Sequence, residues 1–166
     1  MVKWKAININ MYRVILDQKV RIFTAKIDDL CQMRRQQGKA PSFGDYYHPA
    51  MAVCCCTATL TKKIGKGVAC EPRKKVYHFK MENLLKRKLG NEIGEKSTKT
   101  GCCYPIGQCA EPHAANNYLK VIDPNIDPER DLFFSTPYRP RTEAPIKFFK
   151  AFPYCDNCKT TFINCR

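Results

Sequence analysis

Four residues in two short segments are of types that could bind a metal ion and move protons: Cys109, Glu111, Cys155 and Cys158. Cys155 and Cys158 stand three positions apart, so one helical turn would present both sulfurs on the same side. Cys109 precedes another segment of helical character and could supply a third sulfur. A catalytic Zn²⁺ site typically has three protein ligands and one open position for water. The pattern therefore predicts a zinc site with Cys109, Cys155 and Cys158 as ligands.

Glu111 follows Cys109 by two residues and is not needed as a ligand. Together the two segments fit the signature of zinc deaminases, in which the ion activates a water molecule and a carboxylate moves its protons. Glu111 would take a proton from that water and deliver it to a ring nitrogen of the base and then to the leaving amine. We therefore predict hydrolytic deamination of a base, with Glu111 as the catalytic residue.

The same cysteines allow other interpretations. A fourth protein ligand would close the site and make the zinc purely structural; the candidates are Cys102, Cys103, Cys165 and His113. The thiols could also stay reduced and bind no metal. The carboxylate of Glu111 favours the catalytic interpretation.

Residues 107–117 contain the sequence Cys-Ala-Glu-Pro, which resembles the first motif of bacterial-toxin-type deaminases, most closely their YwqJ-like branch. Residues 153–158 resemble the second motif. These families belong to the cytidine-deaminase-like superfamily. The resemblance implies an α/β fold, a three-layer α/β/α sandwich with zinc between two helix N-termini. It also implies deamination of a base within nucleic acid, with DNA favoured over RNA, by a toxin or effector domain that has an immunity protein as a partner.

The sequence departs from the family pattern in two places. Tyr154 separates Pro153 from Cys155, whereas the family has the proline directly before the cysteine. Only eight residues follow Cys158. We therefore expect a short or truncated C-terminal sheet edge, unless a segment such as residues 3–10 fills that edge.

The charge of the chain favours a polyanionic partner. The 166 residues include 29 Lys and Arg against 15 Asp and Glu, a formal net charge of +14. Nucleic acid is the partner that this balance favours first, ahead of an anionic membrane or an acidic protein. No apolar run approaches the length of a membrane span and no signal-peptide pattern is visible, so we expect a cytoplasmic site of action, in a target cell if the chain is an effector. Eleven cysteines without an export signal do not indicate a disulfide framework.

Two parts of the chain are predicted to position these residues. Residues 1–45 form an N-terminal helical extension packed on the core, and residues 46–166 form the deaminase-like catalytic domain. Apolar residues at steps of four and three predict a helix over residues 11–35. The remaining predicted helices lie at residues 82–89, 110–119 and 155–165, and the predicted strands at residues 50–61, 131–136 and 146–152. One or two partner strands are expected from residue 68 onward and at residues 76–80, with a turn at residues 63–67 and an irregular connection at residues 137–141.

Five residues are candidates for substrate contacts. His113 shares a helical face with Cys109, although a packed histidine is the simpler interpretation. Tyr154 could stack on a base or pack in the core. Tyr138, Arg139 and Arg141 are expected to face outward from a loop, where they would contact nucleic acid. The sequence does not specify cytosine against adenine, and the conversion of cytosine to uracil follows from the resemblance.

Three further functions stay open. A deaminase of a free nucleoside or base would have a closed pocket. A non-catalytic, zinc-stabilised nucleic-acid-binding module would have four protein ligands and would not depend on Glu111. A thiol oxidoreductase of Cys155 and Cys158 would act without metal and leaves Cys109 unexplained.

Overall fold

A long helix covers one face of a small sheet. In the computed structural model, which describes residues 2–39, 52–58, 63–139 and 150–165, helix α1 spans Val2–Gln36. Its apolar stripe is buried against the sheet through Leu16, Val20 and Ile27. The helix predicted over residues 11–35 is confirmed, and because it already begins at Val2, residues 3–10 do not fill a sheet edge. The predicted domain boundary after residue 45 lies outside the described residues.

Antiparallel pairing organises the sheet around one central strand, β1 (Val53–Thr57). Strand β2 (Gly65–Val68) pairs along one side of it. On the other side, β3 (Phe133–Phe134) and β4 (Tyr138–Arg139) pair with successive parts of β1. Strand β5 (Lys150–Ala151) pairs with β4. The strands predicted at residues 50–61, 131–136 and 146–152 each contain one of these strands.

The turn predicted at residues 63–67 is wrong, because the glycines there belong to strand β2. A Cβ atom on Gly67 would lie 2.1 Å from the backbone oxygen of Ala110, and one on Gly65 would lie 2.4 Å from that of Ala114. The glycines therefore allow a helix to lie directly on the strand. In the sequence alone, the same two glycines are typical of a turn.

Two further predictions in this region are corrected. Residues 76–80 do not form a strand: the Nδ1 atom of His78 accepts a hydrogen bond from the backbone N–H of Lys80 and caps helix α2 (Phe79–Leu89). This helix confirms the one predicted at residues 82–89. Residues 138–139 form strand β4 instead of an irregular connection, because Tyr138 pairs with both Val53 and Ala151.

Three consecutive cysteines, Cys54, Cys55 and Cys56, lie in the core on β1 and are fully buried. Side chains alternate between the faces of a strand, so Cys55 packs with α1 while Cys54 and Cys56 pack on the opposite side. Burial raises the pKa of the Cys55 thiol to about 12. These thiols are packing groups, as expected for small buried cysteines.

The opposite face of the sheet carries the other helices. Helix α3 spans Ala110–Val121 and helix α4 spans Asp156–Thr161, followed by a 3₁₀ turn at Ile163–Cys165. They confirm the helices predicted at residues 110–119 and 155–165, although the second is shorter. Together with α2 they share a core with Cys54 and Cys56. The fold is thus mixed α/β, a small antiparallel sheet with helices on both faces.

Among the described residues, no helix combines the length and the apolar character that crossing a membrane would require.

The contact between β2 and α3 predicts a stability effect. Gly67→Ala would place a methyl group 2.1 Å from the backbone oxygen of Ala110 and 2.3 Å from the backbone nitrogen of Ala114. We expect it to lower the free energy of unfolding by about 2 kcal/mol or more, measured by urea denaturation. Gly101→Ala is the matched control, since nothing lies within 4 Å of its Cβ position. Equal stability of the two variants would contradict the described packing.

Candidate metal centre

Two helices begin at the same place and bring three sulfurs together. Cys109 is the N-cap residue of α3 and Cys155 is the N-cap residue of α4, while Cys158 lies in the first turns of α4. Their Sγ atoms all lie within 4.8 Å of one another, and those of Cys109 and Cys155 are 3.2 Å apart. These three residues could hold a metal ion.

The backbone at the two helix starts directs the sulfurs towards each other. Cys109 and Cys155 both have the extended conformation of N-cap residues. Cys109 has φ −68° and ψ 158°, and Cys155 has φ −73° and ψ 164°. An N-cap side chain usually accepts a hydrogen bond from its own helix, but neither thiol does so. The sulfurs therefore stay available for another partner. The positive ends of two helix dipoles also lie beside them, which favours thiolate over thiol.

Hydrogen bonds among the sulfurs concentrate negative charge on one of them. The hydrogen bonds of Cys155 with Cys109 and Cys158 hold the pKa of the Cys155 thiol well below its usual range. The pKa of Cys109 is raised by the same hydrogen bond, and that of Cys158 is raised first by burial. A cation bound by the three sulfurs would favour loss of their protons.

Glu111 is buried beside this cluster in the first turn of α3, with 3% of its surface exposed. Burial raises the pKa of its carboxyl group to about 7, and the charge on Cys155 adds to the shift. A carboxyl group whose pKa lies near neutrality is suited to both accept and donate a proton. Its position next to Cys109 and Cys155 is the one that the sequence predicted for a proton shuttle.

A cavity of about 330 Å³ opens onto these groups. Cys109, Glu111 and Cys155 form one side of it, whereas Cys158 is buried beneath, with 1% of its surface exposed. The remaining lining is mostly apolar or aromatic: Ala52, Ala69, Tyr104, Gln108, Ala110, Pro137, Phe152, Pro153 and Tyr154. Its size is at the lower end for ligand pockets, about 300–1,000 Å³, and suits one small planar ring.

Tyr154 serves both as a wall of the cavity and as a packing residue. Its hydroxyl group lies 3.2 Å from the backbone oxygen of Phe134 and 3.0 Å from that of Ser135, to which it donates. These hydrogen bonds connect the segment before α4 to strand β3. The residue that separates Pro153 from Cys155 therefore fixes the approach to the second helix, and its ring lines the cavity.

Three further lining residues were not predicted from the sequence: Tyr104, Gln108 and Phe152. Tyr104 is held through its backbone oxygen, which accepts a hydrogen bond of 3.0 Å from Asn157, located between the two cysteines of α4. Gln108 directly precedes Cys109, so its adjacency to the motif was an available signal. Phe152 belongs to an aromatic run that resembles core sequence, and only the position of β5 places it at the cavity.

His113 lies away from this cavity. It is buried between Cys70, whose Sγ atom is 3.3 Å from its Nε2, and Tyr77, whose hydroxyl oxygen is 3.4 Å from its Nδ1. Burial lowers the pKa of His113 to about 4, so the ring is neutral at neutral pH. The structure thus gives it the packed environment that was the simpler interpretation.

The three predicted nucleic-acid contacts have different outcomes. Tyr138 is a strand residue with 6% of its surface exposed, and its hydroxyl accepts a hydrogen bond of 3.4 Å from Arg21 of α1. The expectation of an outward-facing loop residue is therefore wrong for Tyr138, because β4 turns it towards α1. Arg139 lies in the same strand. Arg141 lies outside the described residues.

The four candidates for an additional ligand are not members of the sulfur cluster within the described chain. Cys102 hydrogen-bonds with Cys155 but does not reach all three sulfurs, and Cys103 is exposed. Cys165 is buried in the same core as Cys158 but is not a member of the sulfur cluster. The side of the cluster that faces the cavity is thus bordered by Glu111, which is the arrangement of an open site.

Comparison with known proteins gives no match, whether to a family model, a curated protein or a solved structure.

The geometry predicts which cysteines bind a metal ion. We expect wild-type protein to bind one equivalent of Co²⁺ with intense thiolate-to-cobalt absorption. Serine at position 109, 155 or 158 should weaken binding by more than the 10- to 100-fold that is typical for losing an outer hydrogen-bond partner. Cys103→Ser, at an exposed position, is the matched control. If Cys102→Ser weakened binding as strongly as Cys158→Ser, the site would have four ligands and the open geometry would be refuted.

Proposed function

We propose that this chain is a zinc-dependent hydrolytic deaminase that converts cytosine to uracil in nucleic acid, with DNA as the favoured substrate. One observation carries the proposal. Cys109, Cys155 and Cys158 converge at two helix starts, and the buried carboxyl group of Glu111 lies beside them on a cavity that suits one base. A structural metal site or a redox pair has no need of that carboxyl group or of that cavity.

The donor set supports Zn²⁺ as the ion. Sulfurs bound to a tetrahedral Zn²⁺ at about 2.3 Å lie about 3.8 Å from each other, and the observed separations run from 3.2 Å to at most 4.8 Å. Thiolates are suitable ligands for this ion, and three ligands from the protein leave one coordination position for water. When bound, Zn²⁺ activates a water molecule at neutral pH.

Glu111 then transfers the protons. Its carboxylate accepts a proton from the water as the water oxygen bonds to the amine-bearing carbon of cytosine, and donates it to the ring nitrogen. A second proton passes through Glu111 to the amine. The carbon–nitrogen bond breaks, ammonia leaves, and the carbonyl group of uracil remains. Burial beside Cys155 raises the pKa of Glu111 to about 7, which suits a group that alternates between base and acid.

The order of elements supports a cytidine-deaminase-like three-layer sandwich. The antiparallel pair β1 and β2 precedes helix α3 with its Cys-Ala-Glu start, and β3 and β4 return beside β1. Helix α4 follows, with Cys155 as its N-cap residue and Cys158 within it. Helices cover both faces of the sheet. The short sheet edge expected after Cys158 stays a prediction; the elements described after that residue are the end of α4 and the 3₁₀ turn at Ile163–Cys165.

Charge and cavity shape favour a base within a polymer. A net charge of +14 attracts polyanions, and a base must leave its stack to enter a cavity of this kind. The aromatic rings of Tyr104, Phe152 and Tyr154 give the cavity a surface for stacking. Action as an effector in the cytoplasm of a target cell, with an immunity protein as partner, is proposed from the motif resemblance alone.

Removing the carboxylate tests the catalytic role. Glu111→Gln should lower deamination of a cytosine-rich single-stranded DNA by about 10²- to 10⁴-fold while zinc content stays unchanged, measured by sequencing and elemental analysis. Glu82→Gln, at an exposed helix position, is the control. Full activity of Glu111→Gln, or no activity in wild type, would refute the proposal, and turnover of free cytidine alone would identify a nucleoside deaminase.

The aromatic wall predicts a separate effect on substrate binding. Tyr104 is 46% exposed, so Tyr104→Ala should leave the fold intact but remove a stacking surface worth about 1–3 kcal/mol per base. We expect KM for the oligonucleotide to rise about 5- to 150-fold. Tyr104→Phe keeps the ring and is the matched control. Equal KM values for the two variants would show that the ring does not contact the base.

A further inference from the structure

A second cavity adjoins the first. It also has a volume of about 330 Å³ and is lined by Glu71, Pro72, Arg73, Gly94, Pro105 and Gln108. Gln108 lines both cavities. Gln108 therefore lies between the sulfur cluster and the cavity that Arg73 lines. The two adjoining cavities, together called the groove below, offer two neighbouring places for a substrate longer than one nucleoside.

Gly94 positions the side chain of Arg73 in this groove. A Cβ atom at Gly94 would lie 2.7 Å from Nε and 2.8 Å from Cγ of Arg73, so the guanidinium rests against the backbone of the glycine. Gly94 has φ +90°, and its N–H donates to the backbone oxygen of Ile106 at 2.9 Å. The loop under Arg73 is thereby held in a conformation that favours glycine.

The segment that carries Arg73 is tied to the metal centre. The backbone N–H of Cys70 donates to the backbone oxygen of Gln108 at 3.1 Å, and the hydroxyl of Tyr77 donates to that of Gly107 at 2.8 Å. Gln108 directly precedes the ligand Cys109. The segment that carries Arg73 is consequently held beside the sulfurs by hydrogen bonds on both sides of that residue.

The charge of this segment suits an anion. Residues 71–75 contain one carboxylate, on Glu71, and three cations, on Arg73, Lys74 and Lys75. Arg73 is exposed. A guanidinium can donate two parallel hydrogen bonds to a phosphate group, and a positively charged groove that follows the backbone is typical of proteins that bind single-stranded nucleic acid.

We infer that the groove binds a phosphate of a nucleotide that flanks the target base, with Arg73 as its donor. The inference rests on the proposed function and deepens it, because it names the feature by which the site would favour a polynucleotide over a free nucleoside. Base identity is left to the first cavity, since phosphate contacts position a strand without specifying its sequence.

Binding is tested in the Glu111→Gln background with zinc bound, so that the probe is not converted. The probe is a fluorescent single-stranded oligodeoxycytidine. Its binding is followed by fluorescence anisotropy between about 50 and 300 mM salt, so that the dependence of the binding constant on salt can be measured. Arg73→Gln should weaken binding about three- to fivefold and reduce the slope of log K against log salt by about 0.7. Arg73→Lys should keep most of the slope.

Arg130→Gln is the matched control because it removes the same charge outside the groove. The side chain of Arg130 is 73% exposed, and this residue lines neither of the two cavities. We expect Arg130→Gln to change oligonucleotide affinity less than twofold. Equal losses for Arg73→Gln and Arg130→Gln, or no binding by the parent protein, would overturn the inference.

Activity separates this inference from the proposed function. With Glu111 intact, Arg73→Gln should lower kcat/KM for the oligonucleotide by the same three- to fivefold and leave kcat/KM for free cytidine unchanged. Equal losses on both substrates would overturn the phosphate contact and leave the deaminase standing. A parent protein that deaminates neither substrate, but whose oligonucleotide binding depends on Arg73, would overturn the proposed function and support the contact.

Discussion

The direct contact between helix α3 and the glycines of β2 determines where the three clustered sulfurs can meet. Gly67 leaves room for the backbone oxygen of Ala110, which would be 2.1 Å from a Cβ atom, and Ala110 directly follows Cys109. Fixing the first turn of α3 on the strand therefore fixes the first sulfur. Helix α4 is fixed independently, because the ring of Phe162 packs against that of Phe134 of β3 at 4.6 Å. One small sheet thus positions both helix starts.

The convergence has an electrostatic cost that packing alone does not explain. Glu111 is 3% exposed, and Cys158 is 1% exposed. A buried carboxyl group beside sulfur acceptors is costly unless it is protonated or a cation lies nearby. Burial raises the pKa of Glu111 to about 7. The protonated form of its carboxyl group, which is uncharged, lowers part of this cost. A core built for stability alone would have an apolar side chain there, so the burial of Glu111 supports the proposed chemical role of its carboxyl group.

Much of the site could be predicted from the sequence because its signal is local. The spacing of Cys155 and Cys158 and the start of α3 at Ala110 depend on single helical turns. The errors arise where tertiary contacts override local preference. The glycines of β2 resemble a turn until α3 lies on them, and Tyr138 resembles a loop residue until β4 pairs with β1 and turns it towards Arg21. Phe152 and Tyr104 reach the cavity through long-range pairing that the sequence does not encode locally.

His113 shows how a residue outside the cavity can still determine its geometry. Its ring lies between Cys70 and Tyr77, and these two residues hydrogen-bond to the backbone oxygens of Gln108 and Gly107. Because burial lowers the pKa of His113 to about 4, the ring stays neutral and can accept as well as donate a hydrogen bond between them. The helical face that His113 shares with Cys109 therefore has a structural role: it connects the first residue of the sulfur cluster to the segment that carries Arg73.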